Sequence, residues 1–174
     1  RKRNLIAFLL VFSLTSTAQS DSATIQKWYV PIGAMAEYAG GFGMVSAGAV
    51  FNPIPKFEAA TTIGYTPPAY GNITTFNILF TYPFFEIALN YRWRLYPLNT
   101  GGFLNFNFGD NIHLFLPSHY PRNYYWWNSA IRFGPFIEMS LKHNHPTTKN
   151  SYAFFLQFLT NDLYISTYFS SPRT

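Results

Sequence analysis

The chain has 174 residues, of which 48% are hydrophobic, 21% aromatic and only 11% charged, and it contains no cysteine. Soluble domains carry about 25% charged residues, and the missing cysteines exclude disulfides, thiol catalysis and cysteine-bound metals. The net charge of +5 comes mainly from the first three residues, since nine basic residues face seven acidic ones once Arg1, Lys2 and Arg3 are set aside. The composition therefore argues against nucleic acid as a partner.

Residues 1–18 have the pattern of a secretory signal peptide. The basic Arg1-Lys2-Arg3 precedes an apolar run from Leu5 to Leu14, and the small residues of Ser16-Thr17-Ala18 follow. The run is too short to cross a bilayer as a helix. We expect a signal-peptide helix that is cleaved after Ala18, the alternatives being an ordinary N-terminal helix or a membrane anchor. Residues 19–174 then form one domain.

The rest of the chain alternates apolar and polar residues, a period that is typical of β-strands. In Ala88–Tyr96, for example, Leu89, Tyr91 and Trp93 share one face, and Asn90, Arg92 and Arg94 share the other. Nine strands are predicted, namely Trp28–Tyr38, Phe42–Phe51, Phe57–Thr66, Ile73–Tyr82, Ala88–Tyr96, Leu104–Gly109, Trp127–Lys142, Ser151–Thr160 and Leu163–Phe169. Within the long seventh strand, Pro135 predicts a bulge or break, because proline cannot donate to a ladder.

The connections between these strands are short and rich in Gly, Pro and Asn, so the strands form an antiparallel meander. Low charge combined with alternation favours an all-β, up-and-down transmembrane β-barrel of 8–10 strands. Because bacterial single-chain barrels have an even number of strands, nine suggests either a missing last strand after Thr174 or one miscounted strand. The end at Ser170–Thr174 is read as a loop, and we expect the domain to be truncated there.

The signal, the alternating aromatic strands and the Gly/Asn/Pro turns resemble small outer-membrane β-barrel proteins of Gram-negative bacteria. The Ala18-Gln19 junction and the strands rich in Tyr and Asn are similar to those of Bacteroidetes. The resemblance implies Sec-type export, an outer-membrane location, and contact with outer-membrane lipid and lipopolysaccharide. Aromatic girdles are expected at both membrane interfaces, with Tyr124, Tyr125, Trp126 and Trp127 as interfacial aromatics.

Polar residues on the inward face predict a lumen network, in which arginines pair with glutamates because buried charges need partners. Its predicted members are Glu58, Asn90, Arg92, Arg94, Asn105, Asn107, Arg132 and Glu138. In a narrow barrel such side chains fill the interior. The favoured interpretation is a mostly plugged lumen with a structural or binding role, and the alternative is a small, porin-like pore.

The segment from His113 to Trp127 contains weak candidates for catalysis, namely Ser118, His119 and His113. Outer-membrane lipid A deacylases and phospholipases are small barrels that use Ser and His at the lipid surface, so a lipid-acting hydrolase is the alternative function. In the deacylases the two residues stand two apart and face one way, whereas Ser118 and His119 are adjacent. Alternation would turn them apart, which favours a non-enzymatic aromatic belt or a loop over the barrel mouth.

His143-Asn144-His145 is read as a solvated loop and not as a metal site, because no third ligand stands nearby in sequence. No cofactor or metal is expected, since the sequence has no phosphate loop, dinucleotide fingerprint or EF-hand.

Overall fold

The computed structural model describes residues 13–18, 27–110, 112–115, 128–145 and 150–170. Its strands are β1 (Ser13–Ala18), β2 (Gly33–Gly40), β3 (Gly43–Ile54), β4 (Phe57–Thr66), β5 (Ile73–Pro83), β6 (Ile87–Ala88), β7 (Trp93–Phe108), β8 (Ile131–Asn144) and β9 (Asn150–Leu159). A 3-10 turn covers Pro68–Tyr70, and one α-helix, α1, covers Asp162–Ser170. Within these ranges no helix has the length and apolar character needed to span a membrane.

The strands form one antiparallel sheet whose pairing returns to its starting point. Each of β2, β3, β4, β5, β7, β8 and β9 pairs with the next in that order, and β1 pairs with both β9 and β2. The short β6 is attached only to β7, through two residue pairs. The prediction of an all-β, antiparallel, barrel-like fold is confirmed, with eight strands in the ring.

Strand β1 lies where the sequence suggested a helix. The expectation of a helix through residue 18 is wrong for Ser13–Ala18, which pair antiparallel with β2 and with β9. Thr15 and Thr17 are β-branched and favour the extended backbone. Strands β2 and β9 lie on either side of this segment, and their edges pair with it. Residues 1–12 lie outside the described residues, and cleavage after Ala18 stays a prediction.

Alternation divides each strand between the interior and the outer surface. On β5, Thr75, Asn77 and Leu79 are buried inside the ring, whereas Phe76 and Phe80 are exposed on the outside. The other strands with described side chains show the same alternation of inward and outward residues, because successive strand residues point to opposite faces of a sheet. The apolar core lies inside the barrel and consists of Met35, Phe42, Val50, Ala60, Leu79, Phe103, Phe136 and Phe155.

The predicted strand Ala88–Tyr96 is divided by a turn at residues 89–92. There the Oδ1 of Asn90 accepts hydrogen bonds from the backbone N–H groups of Arg92, at 2.8 Å, and Trp93, at 2.9 Å. Asparagine stabilises turns through such bonds. Strand β7 then runs from Trp93 to Phe108 and contains all but the last residue of the predicted strand Leu104–Gly109. A bulge between Tyr96 and Asn99 lies where the predicted strand Ala88–Tyr96 ends, and the chain continues through it as one strand.

The predicted strand Leu163–Phe169 is wrong, because these residues belong to α1. Asn161 caps the helix: its Oδ1 accepts a hydrogen bond from the backbone N–H of Tyr164 at 3.1 Å. Asparagine before the first turn and Asp162 within it are both favourable at a helix N-terminus. The chain therefore leaves the sheet after β9.

Of the bulge or break predicted at Pro135, the structure has no bulge towards β7, but the ladder with β9 ends there. Pro135 pairs in continuous register with Gly102 of β7. Its carbonyl faces the other side, where it accepts a hydrogen bond from the backbone N–H of Thr160. The paired residues of β8 and β9 end at Phe136 and Leu159, one residue before Pro135 and Thr160. Because proline has no N–H, Pro135 cannot return the second hydrogen bond to Thr160, and the ladder ends there.

Candidate functional site

The two ends of the barrel differ: the interior is filled at one end and contains a cavity at the other. The end that carries the β2–β3 turn at Gly41-Phe42 and helix α1 is called the plugged end. The end that carries the β3–β4 turn at Pro55-Lys56 and the connection from β5 to β7 is called the pocket end.

At the plugged end, the turn at Gly41-Phe42 folds into the barrel. Phe42 is buried, and its carbonyl oxygen accepts hydrogen bonds from the Thr75 hydroxyl at 2.6 Å and the Asn77 amide at 3.4 Å. Its ring meets that of Phe103 edge-on at 5.0 Å. The turn requires glycine at Gly43, whose φ of 110° is unfavourable for residues with a side chain.

A layer of buried amides lies under this turn. Asn105 donates to the Oδ1 of Asn77 at 2.6 Å and to the carbonyl of Gly41 at 3.2 Å, while Asn77 donates to the Thr62 hydroxyl at 3.0 Å. Asn77 is 0% exposed and Asn105 is 1% exposed. Buried polar atoms that find partners in this way hold an interior in one arrangement. These asparagines therefore stabilise the plug.

Helix α1 is held to the same end by an ion pair. Arg132 Nη1 lies 3.4 Å from Asp162 Oδ2, and both side chains are largely buried. The other carboxylate oxygen of Asp162 accepts a hydrogen bond from the backbone N–H of Phe133 at 3.4 Å. Nearby, the Asn107 amide donates to the carbonyl of Ser129 at 3.1 Å. Arg132 thus holds the start of helix α1 at the plugged end, and Asn107 holds Ser129 there.

At the pocket end the interior opens into a cavity of about 350 Å³. This volume lies at the lower limit of small-molecule sites, which usually measure about 300–1,000 Å³. Apolar side chains of the core, including Leu79 and Phe155, separate it from the plugged end.

The carboxylate of Glu138 is among the polar groups that line the cavity. Its Oε1 accepts a hydrogen bond from the Asn99 amide at 2.9 Å, and its Oε2 accepts one from the Gln157 amide at 3.2 Å. Asn99 also donates to the Ser140 hydroxyl at 3.0 Å, but its own Oδ1 is buried without a partner within the described residues. The carboxylate is thus positioned by neutral amides.

Glu86 organises the rim of the cavity. Its carboxylate accepts hydrogen bonds from Arg94 Nη1 at 2.6 Å and from the Tyr96 hydroxyl at 2.8 Å. Because Glu86 lies in the connection between β5 and β6, these bonds tie that connection to β7. Lys56, Lys142 and Glu58 also line the cavity.

The predicted pairing of arginines with glutamates across the lumen is wrong. Arg94 pairs with Glu86, and Arg132 pairs with Asp162; these are the ion pairs within the described ranges, and neither acid was a predicted partner. Glu58 and Glu138 line the cavity instead.

Asn90 and Arg92 are not lumen residues. Both are exposed in the turn at residues 89–92, and the Arg92 guanidinium stacks on the ring of Tyr91 at 4.9 Å. The acidic partners Glu86 and Asp162 were missed because neither lies on an alternating strand: Glu86 stands in the connection between β5 and β6, and Asp162 begins helix α1.

Most of the catalytic candidates and interfacial aromatics lie outside the described residues, namely Ser118, His119, Tyr124, Tyr125, Trp126 and Trp127. His113 is exposed, and its backbone N–H donates to the Ser129 hydroxyl at 3.0 Å. The described part of the chain has no group of three His, Asp or Glu residues that could hold a metal ion.

His143 is part of a strand, although the sequence suggested a solvated loop. It is buried on the outer side of β8, stacked on Tyr152 at 4.8 Å and packed against Trp93 at 4.6 Å. Aromatic packing between strands accounts for its burial.

The described residues together define an all-β, antiparallel, barrel-like protein that is plugged at one end and has an interior cavity at the other. Comparison of the chain with protein-family models, with curated proteins and with solved structures finds no match.

Proposed function

We propose that this chain is an outer-membrane β-barrel protein whose lumen is plugged at one end and serves as a binding site at the other. The observation that carries the proposal is the inverted distribution of its side chains. Polar residues such as Asn77 and Asn105 are buried inside the ring, while large apolar residues face outwards. Transmembrane barrels have this arrangement, because their outer surface contacts lipid.

The outer surface carries exposed apolar side chains on β3, β4, β5, β7, β8 and β9. Ile63 on β4 is 64% exposed, Phe133 on β8 is 56% exposed and Phe158 on β9 is 50% exposed. In water a continuous surface of this kind would promote association. In a bilayer the same surface is the favourable one, so lipid is the environment that suits these residues.

The lengths of the strands and the positions of the tyrosines support the same proposal. Strands β4 and β9 have 10 residues each and β5 has 11, close to the about 9–11 that cross a bilayer. Exposed tyrosines lie near both ends, with Tyr38 and Tyr65 at the plugged end and Tyr82 and Tyr91 at the pocket end. Tyrosine is enriched at both membrane interfaces.

The interior favours binding over conduction. The Gly41-Phe42 turn, the asparagine layer and the apolar core occupy successive levels of the lumen, and the cavity lies only beyond them. We therefore expect no steady ion conductance from the folded protein. Export through the predicted signal and contact with lipid and lipopolysaccharide belong to the same proposal.

The proposal is tested by membrane fractionation together with gel mobility before and after boiling. The expected result is recovery in the outer membrane and a folded band that shifts on boiling. A planar-bilayer recording then separates a plugged barrel from a pore. Recovery as a soluble periplasmic protein with unshifted mobility would refute the membrane assignment, and stable single-channel steps would refute the plugged lumen.

A further inference from the structure

We infer that the cavity at the pocket end binds the primary ammonium group of a small organic molecule through the carboxylates of Glu138 and Glu58. The inference deepens the proposed function and rests on it, because it names the class of ligand that the lumen takes. Three features of the cavity carry it, namely a carboxylate with no counter-cation among the described residues, a second carboxylate in the same lining, and an apolar surround.

The first feature is the environment of the Glu138 carboxylate. It accepts hydrogen bonds from two neutral amides, those of Asn99 and Gln157. The ion pairs that the described residues form are Arg94–Glu86 and Arg132–Asp162, and neither includes Glu138. Because an uncompensated charge is unfavourable in an interior, a cation that enters the cavity gains a strong partner.

The cavity's own lysines are not placed to neutralise this carboxylate. Lys142 lies four residues further along β8, on the order of 13 Å from Glu138 along the strand. Lys56 stands in the turn between β3 and β4, at the outermost edge of the pocket end. Glu138 therefore forms no ion pair with a lysine of the cavity lining.

The second feature is the carboxylate of Glu58, which lines the same cavity as Glu138. Glu58 is exposed near the start of β4. Asn99 holds Glu138 in place through its amide, but its own Oδ1 is buried and is not accessible from the cavity. An ammonium group has three donors and no acceptor, so it matches a lining that offers two carboxylates.

The third feature is the apolar wall around these acceptors. Val50, Leu79 and Phe155 line the same cavity and would contact the carbon chain of the ligand. Ligand sites usually combine an apolar lining with a few converging polar groups that orient the ligand. The volume of about 350 Å³ limits that ligand to a small molecule.

The test is a titration of the full chain, folded in detergent micelles, with n-butylammonium and with its neutral analogue n-butanol. Binding is measured by saturation-transfer NMR and isothermal calorimetry. We expect n-butylammonium to bind at least tenfold more tightly than n-butanol. Glu138→Gln, which keeps the shape and removes the charge, should weaken the binding of n-butylammonium at least tenfold. Asp110→Asn, the same change on an exposed residue at the plugged end, should leave it unaltered.

Heat-modifiable mobility confirms that each variant is folded before it is titrated. If Glu138→Gln does not fold, Glu58→Gln takes its place, with an expected loss of at least threefold. Equal binding of the alcohol and the amine, unchanged affinity in the glutamine variant, or no binding by the wild type would each overturn the inference. The titration uses purified protein in micelles, so its result can be interpreted even if the fractionation does not find the protein in the membrane. Failure of the membrane assignment is therefore distinguishable from failure of the ligand assignment.

Discussion

Replacing Gly64 by alanine tests whether the Gly41-Phe42 turn is inserted in the barrel. Gly64 faces inwards on β4, and a Cβ built on it would overlap the carbonyl oxygen of Phe42 and crowd the Thr75 hydroxyl. The obstacle is the backbone of the turn and not the end of a flexible side chain. The turn must therefore move outwards when the methyl group is added.

The expected loss of stability has two parts. Overpacking in a well-packed interior costs about 1–3 kcal/mol. Moving the turn also breaks the hydrogen bonds that Thr75 and Asn77 donate to Phe42, and such bonds contribute about 1 kcal/mol each. We expect Gly64→Ala to lower the free energy of unfolding by about 3–5 kcal/mol.

The assay is urea unfolding of the protein in lipid vesicles, followed by tryptophan fluorescence and by the mobility of the folded band. Gly102→Ala is the matched control, because a Cβ on Gly102 meets nothing nearer than 3.6 Å. This control should be neutral or slightly stabilising, since alanine reduces the entropy of the unfolded chain. If Gly64→Ala unfolds like the control, the turn does not fill the plugged end and the sealed lumen is refuted.

Three further predictions concern the rest of the chain. Asp162→Asn removes the charge that pairs with Arg132; we expect limited proteolysis to cut within residues 163–170 sooner than in wild type, and an unchanged cleavage rate would show that the ion pair does not hold α1. Ser118→Ala should leave lipid A and phospholipid profiles identical to those of wild-type cells in mass spectrometry, because the favoured function is not enzymatic; a lost deacylated species would instead support the hydrolase. The mass of the protein isolated from membranes should correspond to a chain that begins at Gln19, whereas a mass that includes residues 1–18 would rule out the predicted signal cleavage.

The sequence predicts the strands well where alternation is unbroken. Phe57–Thr66 is predicted with the bounds that the structure has, and Ile73–Tyr82 differs by one residue. Period-two alternation is visible in a single sequence because each strand has one polar and one apolar face. The same pattern suggests that Glu138 and Asn105 share the inner face.

The connections and the partners of the charged residues are harder to predict. The turn at residues 89–92 depends on hydrogen bonds to the side chain of Asn90, and alternation continues through it unchanged. Asn161 and Asp162 are a recognisable start for a helix. The residues after them, however, alternate between apolar and polar types, which also predicts a strand. Nothing local distinguishes a Gly-Gly-Phe turn in solvent from one that folds into a barrel, so the plug depends on tertiary contacts with residues such as Asn77.

Strand β1 has a consequence for the direction of the chain around the ring. Since β1 is antiparallel to both of its neighbours, β2 and β9 run parallel to each other. If signal peptidase removes β1, the seven remaining strands of the ring cannot be closed by another antiparallel ladder between β2 and β9. The mature barrel then has either a single parallel seam or a different strand between β2 and β9, running in the direction of β1. Cleavage after Ala18 would therefore also determine which strands pair to close the barrel.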